Sequence, residues 1–136
     1  MSREAATTAG LLITARESLE QFVEVHVDDD GALSFRSGTV PCAVQGVELV
    51  EGLAVLSLTC VVAWDLEDAD TPRRVAERAG QGLFGTLGAV ATDRGWDVTL
   101  RYAFPAEGLA AGPLGTLLML VVSTAERVRD DLLAET

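Results

Sequence analysis

The chain has no lysine and no asparagine, and only one histidine, one tyrosine and two cysteines among its 136 residues. Those shortages limit its chemistry. Any serine or cysteine triad would have to use His26, which stands beside Asp28 on the polar side of an alternating stretch. No G-x-S-x-G elbow occurs. One histidine and two cysteines cannot build an ordinary zinc site without carboxylates. No apolar run approaches 18 residues free of charge or glycine, so no membrane span is expected. The first residues, Met1 to Ala6, carry an acid and are followed by no small-residue cleavage site, which points away from a secretory signal and toward a cytoplasmic location. Together these absences argue for a module that binds something and against an enzyme, with no cofactor and no metal expected.

What is present describes a globular protein. Hydrophobic residues make up 49%, and the length suits one domain, residues 1–136, with a real core. Ten arginines against 21 acids give a net charge of −11. Such a surface repels phosphate backbones, so neither nucleic acid nor an anionic membrane is an expected partner, while basic peptides are. The alternative reading is that the charge only keeps an apolar protein soluble. Ile13 is the only isoleucine. Lys, Asn and Ile share A/T-rich codons, so the composition reads as that of a high-G+C genome.

The apolar periodicity sets out an order of elements. Leu11, Leu12, Ala15, Leu19 and Phe22 recur at spacings of three and four and predict a helix from about Arg3 to Phe22. Val23, Val25 and Val27 then alternate with polar residues, as either a strand or the frayed end of that helix. Asp28-Asp29-Asp30-Gly31 is a turn, Ala32 to Arg36 a short strand, and Thr39 to Leu49 a second, with Gly46 placed where a bulge could change its phase. Leu53 to Leu66 is the most strongly patterned strand. Its even positions, Ala54 through Trp64 to Leu66, are all apolar and form the core face. Thr71-Pro72 opens a short helix through Val75, Ala76 and Ala79, with Thr71 as a plausible N-cap. Two more strands follow, from about Phe84 to Thr92 and around Val98, Leu100, Tyr102 and Phe104. Pro113 starts a closing helix to about Ala134, whose stripe runs from Leu114 to Leu132 and whose loss should unfold the domain.

Several motifs offer chemistry and then fail on context. Gly80-Gln81-Gly82-Leu83-Phe84-Gly85 is a literal GxGxxG, but a helix precedes it and a strand follows, the reverse of what a dinucleotide needs. Glycines closing a helix account for it better. Asp28 to Gly31 resembles part of a calcium loop, yet His26 and Ser37 would occupy its first and twelfth positions, so an acidic hairpin turn is favoured. Cys42 and Cys60 lie on the apolar faces of two strands expected to pair; the simple reading is two buried thiols, and parity also permits a disulfide.

The odd face of the Leu53–Leu66 strand is too apolar for comfortable contact with water. Leu53, Val55 and Val61, with nearby Val47 and Leu49, form a second apolar patch, the candidate site for a peptide or a dimer partner. A helix of the same chain would equally well cover it.

The order helix, three antiparallel strands, helix, two strands, helix resembles the secretion-chaperone-like fold of type III secretion chaperones of the CesT type and of the YbjN family. Val27-Asp28-Asp29-Asp30-Gly31-Ala32-Leu33-Ser34-Phe35-Arg36-Ser37-Gly38 is similar to the acid–glycine turn, short strand and second glycine of the actinobacterial-type branch of YbjN-like proteins. Leu109 to Leu133, closing on Ala125-Glu126-Arg127-Val128-Arg129-Asp130-Asp131-Leu132, is similar to that branch's final helix. The second helix, Val75-Ala76-Glu77-Arg78-Ala79-Gly80, departs from members that carry asparagines there. The resemblance implies an α+β domain, helices packed on a five-stranded, mostly antiparallel sheet. It further implies a non-enzymatic chaperone or regulatory adaptor, a homodimer that binds peptide segments of partner proteins. The competing expectation is a carrier or sensor holding an apolar small molecule between the sheet and the C-terminal helix.

Overall fold

The first helix, α1 (Thr8–Leu19), buries Leu11, Ala15, Ser18 and Leu19, the inward half of the stripe legible in its sequence. The computed structural model describes residues 8–82 and 84–134; the expected helix start at Arg3 and Leu83 of the glycine-rich run lie outside the described residues. The helix stops at Leu19, not Phe22. The amides of Phe22 and Val23 both turn back to the Leu19 carbonyl, and Phe22 ends up exposed.

The stretch that sequence left open between strand and helix end is a strand, β1 (Val25–Val27). The acidic turn explains why. Gly31 sits at φ 89°, its amide donates to the Asp28 carbonyl, and the Ala32 amide bonds the Asp30 side chain. The turn therefore closes a hairpin onto β2 (Leu33–Ser37), placing His26 opposite Ser34. β3 (Val40–Val50) and β4 (Leu53–Leu66) follow, then α2 (Thr71–Ala79), β5 (Thr86–Thr92), β6 (Gly95–Pro105) and α3 (Ala111–Ala134). The sheet thus has six strands where five were expected, in the order β1-β2-β3-β4-β6-β5, with every neighbouring pair antiparallel.

The helices gather on one side of this sheet. Leu56, Leu58, Cys60 and Val62 of β4 and Val98 and Leu100 of β6 are fully buried, in one cluster with Leu19 of α1, Val75 of α2 and Leu118, Val121 and Val122 of α3. Ser18 Oγ donates to the Ala111 carbonyl at 2.6 Å, tying α1 to the start of α3. At the other end Arg74 donates to the Leu132 carbonyl and Arg78 pairs with Asp131 at 3.0 Å, tying α2 to the end of α3. The α2 stripe differs from the periodicity: Thr71, Arg74 and Val75 are inside, whereas Ala76 and Ala79 are exposed. Asp70, not Thr71, is the N-cap residue, held by its own pairing with Arg73.

Two sequence expectations about the strands are corrected. Gly46 makes no bulge; the β3–β4 register slips between Glu48 and Val50. A Cβ at Gly46 would lie 2.8 Å from Thr8 Cβ and 3.3 Å from the Thr8 carbonyl oxygen, so the missing side chain lets α1 rest on the strand. Trp64 also leaves the even core face. The β4–β6 register shifts after Val61 and again after Ala63, and Asp65 takes φ 57°. Ala63 is consequently buried and Trp64 lies 46% exposed, under the Arg129 guanidinium at 5.5 Å.

Candidate interaction site

With the helices on one side, the opposite face of the sheet is left without a layer from the described residues. Its central rows can be followed through the pairing. Val47 of β3 stands opposite Val55 of β4, which stands opposite Pro105 of β6. The next row is Gln45, Ser57 and Ala103, and the one after it Ala43, Thr59 and Arg101. Small and β-branched residues dominate, and Arg101 is the single charge in these three rows.

The five candidate residues divide on this face. Val47, Val55 and Leu53 come together at one end, where Val50 stands opposite Leu53 and Pro105 completes the row. Leu49, beside the register slip, is 60% exposed in the same corner, whereas Val55 is buried between its cross-strand neighbours. Val61 lies six residues further along β4, roughly 20 Å away at about 3.4 Å per residue, opposite Thr99. Serine and threonine separate it from the others.

A second apolar feature was not singled out from sequence. Between α1 and the β1–β2 hairpin runs a groove of about 290 Å³, whose apolar walls are Ala9, Leu12, Ile13, Val27 and Leu33. Arg16 and Asp30 stand among its lining residues. Ile13 is 60% exposed, an apolar residue off the buried stripe of α1, and that misplacement is the signal sequence reading could have used. Among the described residues the neighbouring strand β1 pairs only with β2, and none of them occupies its other edge. Asp28, Asp29 and Asp30 crowd the hairpin turn and give this end of the molecule negative charge.

The residues weighed for catalysis are not wired for it. Asp28 Oδ1 accepts from Ser34 Oγ at 3.3 Å and lies 3.5 Å from His26 Nε2. The carboxylate therefore stands between the two, whereas a triad needs the imidazole on the hydroxyl. Among the described residues no three His, Cys, Asp or Glu side chains cluster to hold a metal ion. No described helix is long and apolar enough to cross a membrane. Between the sheet and α3, where a small ligand was considered, Leu58, Leu100, Leu118 and Val122 are each fully buried.

Among the described residues two sites show perturbed ionisation. Arg73 hydrogen-bonds Asp70 and holds its carboxyl below the usual carboxylate range. Cys42 and Cys60 are free, buried and directly opposed, with sulfurs 3.6 Å apart. The Cys60 sulfur and then burial push the Cys42 thiol well above its usual range.

No protein-family model matches the chain, and no curated protein matches it in sequence. In three dimensions it is similar to a chain in the crystal structure of the ExsC–ExsE complex. The TM-score is 0.60 at 16% identity, over 90% of this chain and 93% of that one. The expected α+β fold, helices packed on an antiparallel sheet, is the fold the chain has, and it is shared with that neighbour.

Proposed function

We propose that this protein is a non-enzymatic, protein-binding chaperone or adaptor of the secretion-chaperone-like class, in the YbjN-like branch, that acts in the cytoplasm as a homodimer. The observation that carries the reading is the groove between α1 and the β1–β2 hairpin, whose β1 edge has no partner among the described residues. A free strand edge offers backbone donors and acceptors to an extended peptide, and an adjacent apolar groove takes its side chains. The aspartates of the turn favour peptides that carry arginine or lysine beside the apolar anchors. The chain of similar fold was solved in a complex, that of ExsC with ExsE, which supports a protein-binding role.

The helix-free sheet face is the dimer seam in this reading. Its central rows hold one charge while the whole chain carries −11, so two copies can approach there with little repulsion. Val47, Leu49, Leu53 and Val55 anchor one end of the seam and Val61 lies within it.

Native mass spectrometry of protein purified gently from its own host tests both parts. A dimer, bare or carrying a polypeptide, supports the reading, and a monomer holding a tightly bound small molecule overturns it. Ile13→Asp should abolish capture of apolar–basic peptides while leaving the dimer intact. Val47→Glu should do the reverse, since it places two like charges in the seam.

A further inference from the structure

Cys42 and Cys60 play no part in the binding reading, and their placement is more specific than burial of two small hydrophobes requires. They are the cross-strand pair that ends the antiparallel β3–β4 ladder on the side away from its turn, with facing sulfurs at 3.6 Å. Directly opposed residues in such a ladder have Cα atoms about 4.5–5.5 Å apart. That falls within the roughly 4.4–6.8 Å a disulfide tolerates, so bond formation needs side-chain rotation and not strand movement. A cleft of about 460 Å³, lined in part by Val25, His26, Arg36 and Pro41, has Cys42 among its lining residues; Cys42 itself is 5% exposed and Cys60 is fully buried.

We propose that Cys42 and Cys60 are a reversible dithiol–disulfide site, oxidised by small-molecule disulfides that enter through this cleft. Cys42 attacks one sulfur of the reagent through the small thiolate fraction that Cys60 and burial leave it, and expels the first reagent thiol, leaving a mixed disulfide at Cys42. Cys60 as thiolate then attacks the Cys42 sulfur and expels the second. Two protein S–H bonds are lost and one S–S bond is gained. The reagent disulfide accepts the two electrons, and its two thiols carry away the two protons. The product pins the register of β3 on β4 across an 18-residue separation, constraining the unfolded chain.

The test is incubation of the folded protein with the neutral 2-hydroxyethyl disulfide, followed by acid quench, alkylation and intact-mass analysis. The expected product is a monomer lighter by about 2 Da that takes up no alkylating agent, with one linked Cys42–Cys60 peptide. Its urea midpoint should lie above that of the reduced protein. Cys60→Ala should stop at a mixed disulfide on Cys42. Retention of both thiols, accumulation of the wild type as the mixed disulfide, or linkage between chains would each overturn the proposal. So would an oxidised product with an unchanged or lower urea midpoint. The urea-unfolded chain, which closes the bond without any help from the fold, sets the time allowed. None of these outcomes depends on peptide capture or dimerisation.

Discussion

Alanine in place of Gly46 should destabilise the protein, whereas the same change at Gly88 should leave it unchanged or slightly firmer. Both glycines lie in strands, and both are replaced by one methyl group. At Gly46 the new Cβ would sit 2.8 Å from Thr8 Cβ, where ordinary contact begins at 3.4 Å, so α1 must retreat by about 0.6 Å. The Thr8 carbonyl oxygen at 3.3 Å resists as well, and backbone yields less readily than a side-chain tip. Overpacking of this kind costs about 1–3 kcal/mol. Removing glycine from a strand returns about 0.5–1 kcal/mol, so the net loss should be roughly 0–2.5 kcal/mol, and the gap to Gly88→Ala about 1–3 kcal/mol. Gly88 has no atom within 4 Å of its would-be Cβ, so only the favourable part applies there. Urea unfolding followed by tryptophan fluorescence measures both, provided the slope of each transition stays that of the wild type. A Gly46→Ala protein as stable as the Gly88→Ala protein would refute the close approach of α1 and restore the reading of Gly46 as a strand irregularity.

Other perturbations probe the joints between elements and the surface charge. Arg74→Met removes the donor to the buried Leu132 carbonyl and the 3.3 Å pairing with Asp68. Its urea midpoint should fall by the equivalent of about 1–3 kcal/mol, and a change below about 0.5 kcal/mol would show that the α2–α3 joint does not matter. Asp70 has a folded-state pKa depressed by Arg73, so its contribution is complete above 3.8 and is lost as the pH falls below that value. Wild-type urea midpoints should therefore drop more steeply in that acid range than those of Arg73→Gln, with the difference shrinking in high salt. Parallel curves for the two proteins would remove the pair from the account of acid sensitivity. Arg129→Ala withdraws a cation from the Trp64 ring and should shift the tryptophan emission, and an unchanged spectrum would count against that contact.

The elements longest in sequence were the most legible. The α3 stripe of Leu114, Leu118, Val121, Val122, Ala125, Val128 and Leu132 is buried as its spacing demands, because 24 residues repeat the helical period many times. The alternation in β4 identified Ala54, Leu56, Leu58, Cys60 and Val62 as core for the same reason. Short elements carried too few repeats. Three residues of β1 cannot distinguish a strand from the tail of a helix, and nine residues of α2 could not show that Arg74, and not Ala76 or Ala79, faces inward. An arginine reads as surface until a carbonyl and a carboxylate are known to meet it.

By itself the sequence determined the order of most elements, the core stripes, the poverty of catalytic groups and the negative charge, since all of these follow from residue type and local spacing, while the fold class came from the resemblance that this order carries. Only the tertiary structure decided which apolar residues share a surface. It drew Val47, Leu53 and Val55 into one corner and set Val61 apart, because cross-strand register is a property of strand pairs and no single strand contains it. It also opened the groove beside Ile13 and brought Cys42 against Cys60, contacts made where α1 crosses the sheet and where β3 meets β4. Contacts between distant segments depend on how whole elements dock, and local periodicity carries no record of that.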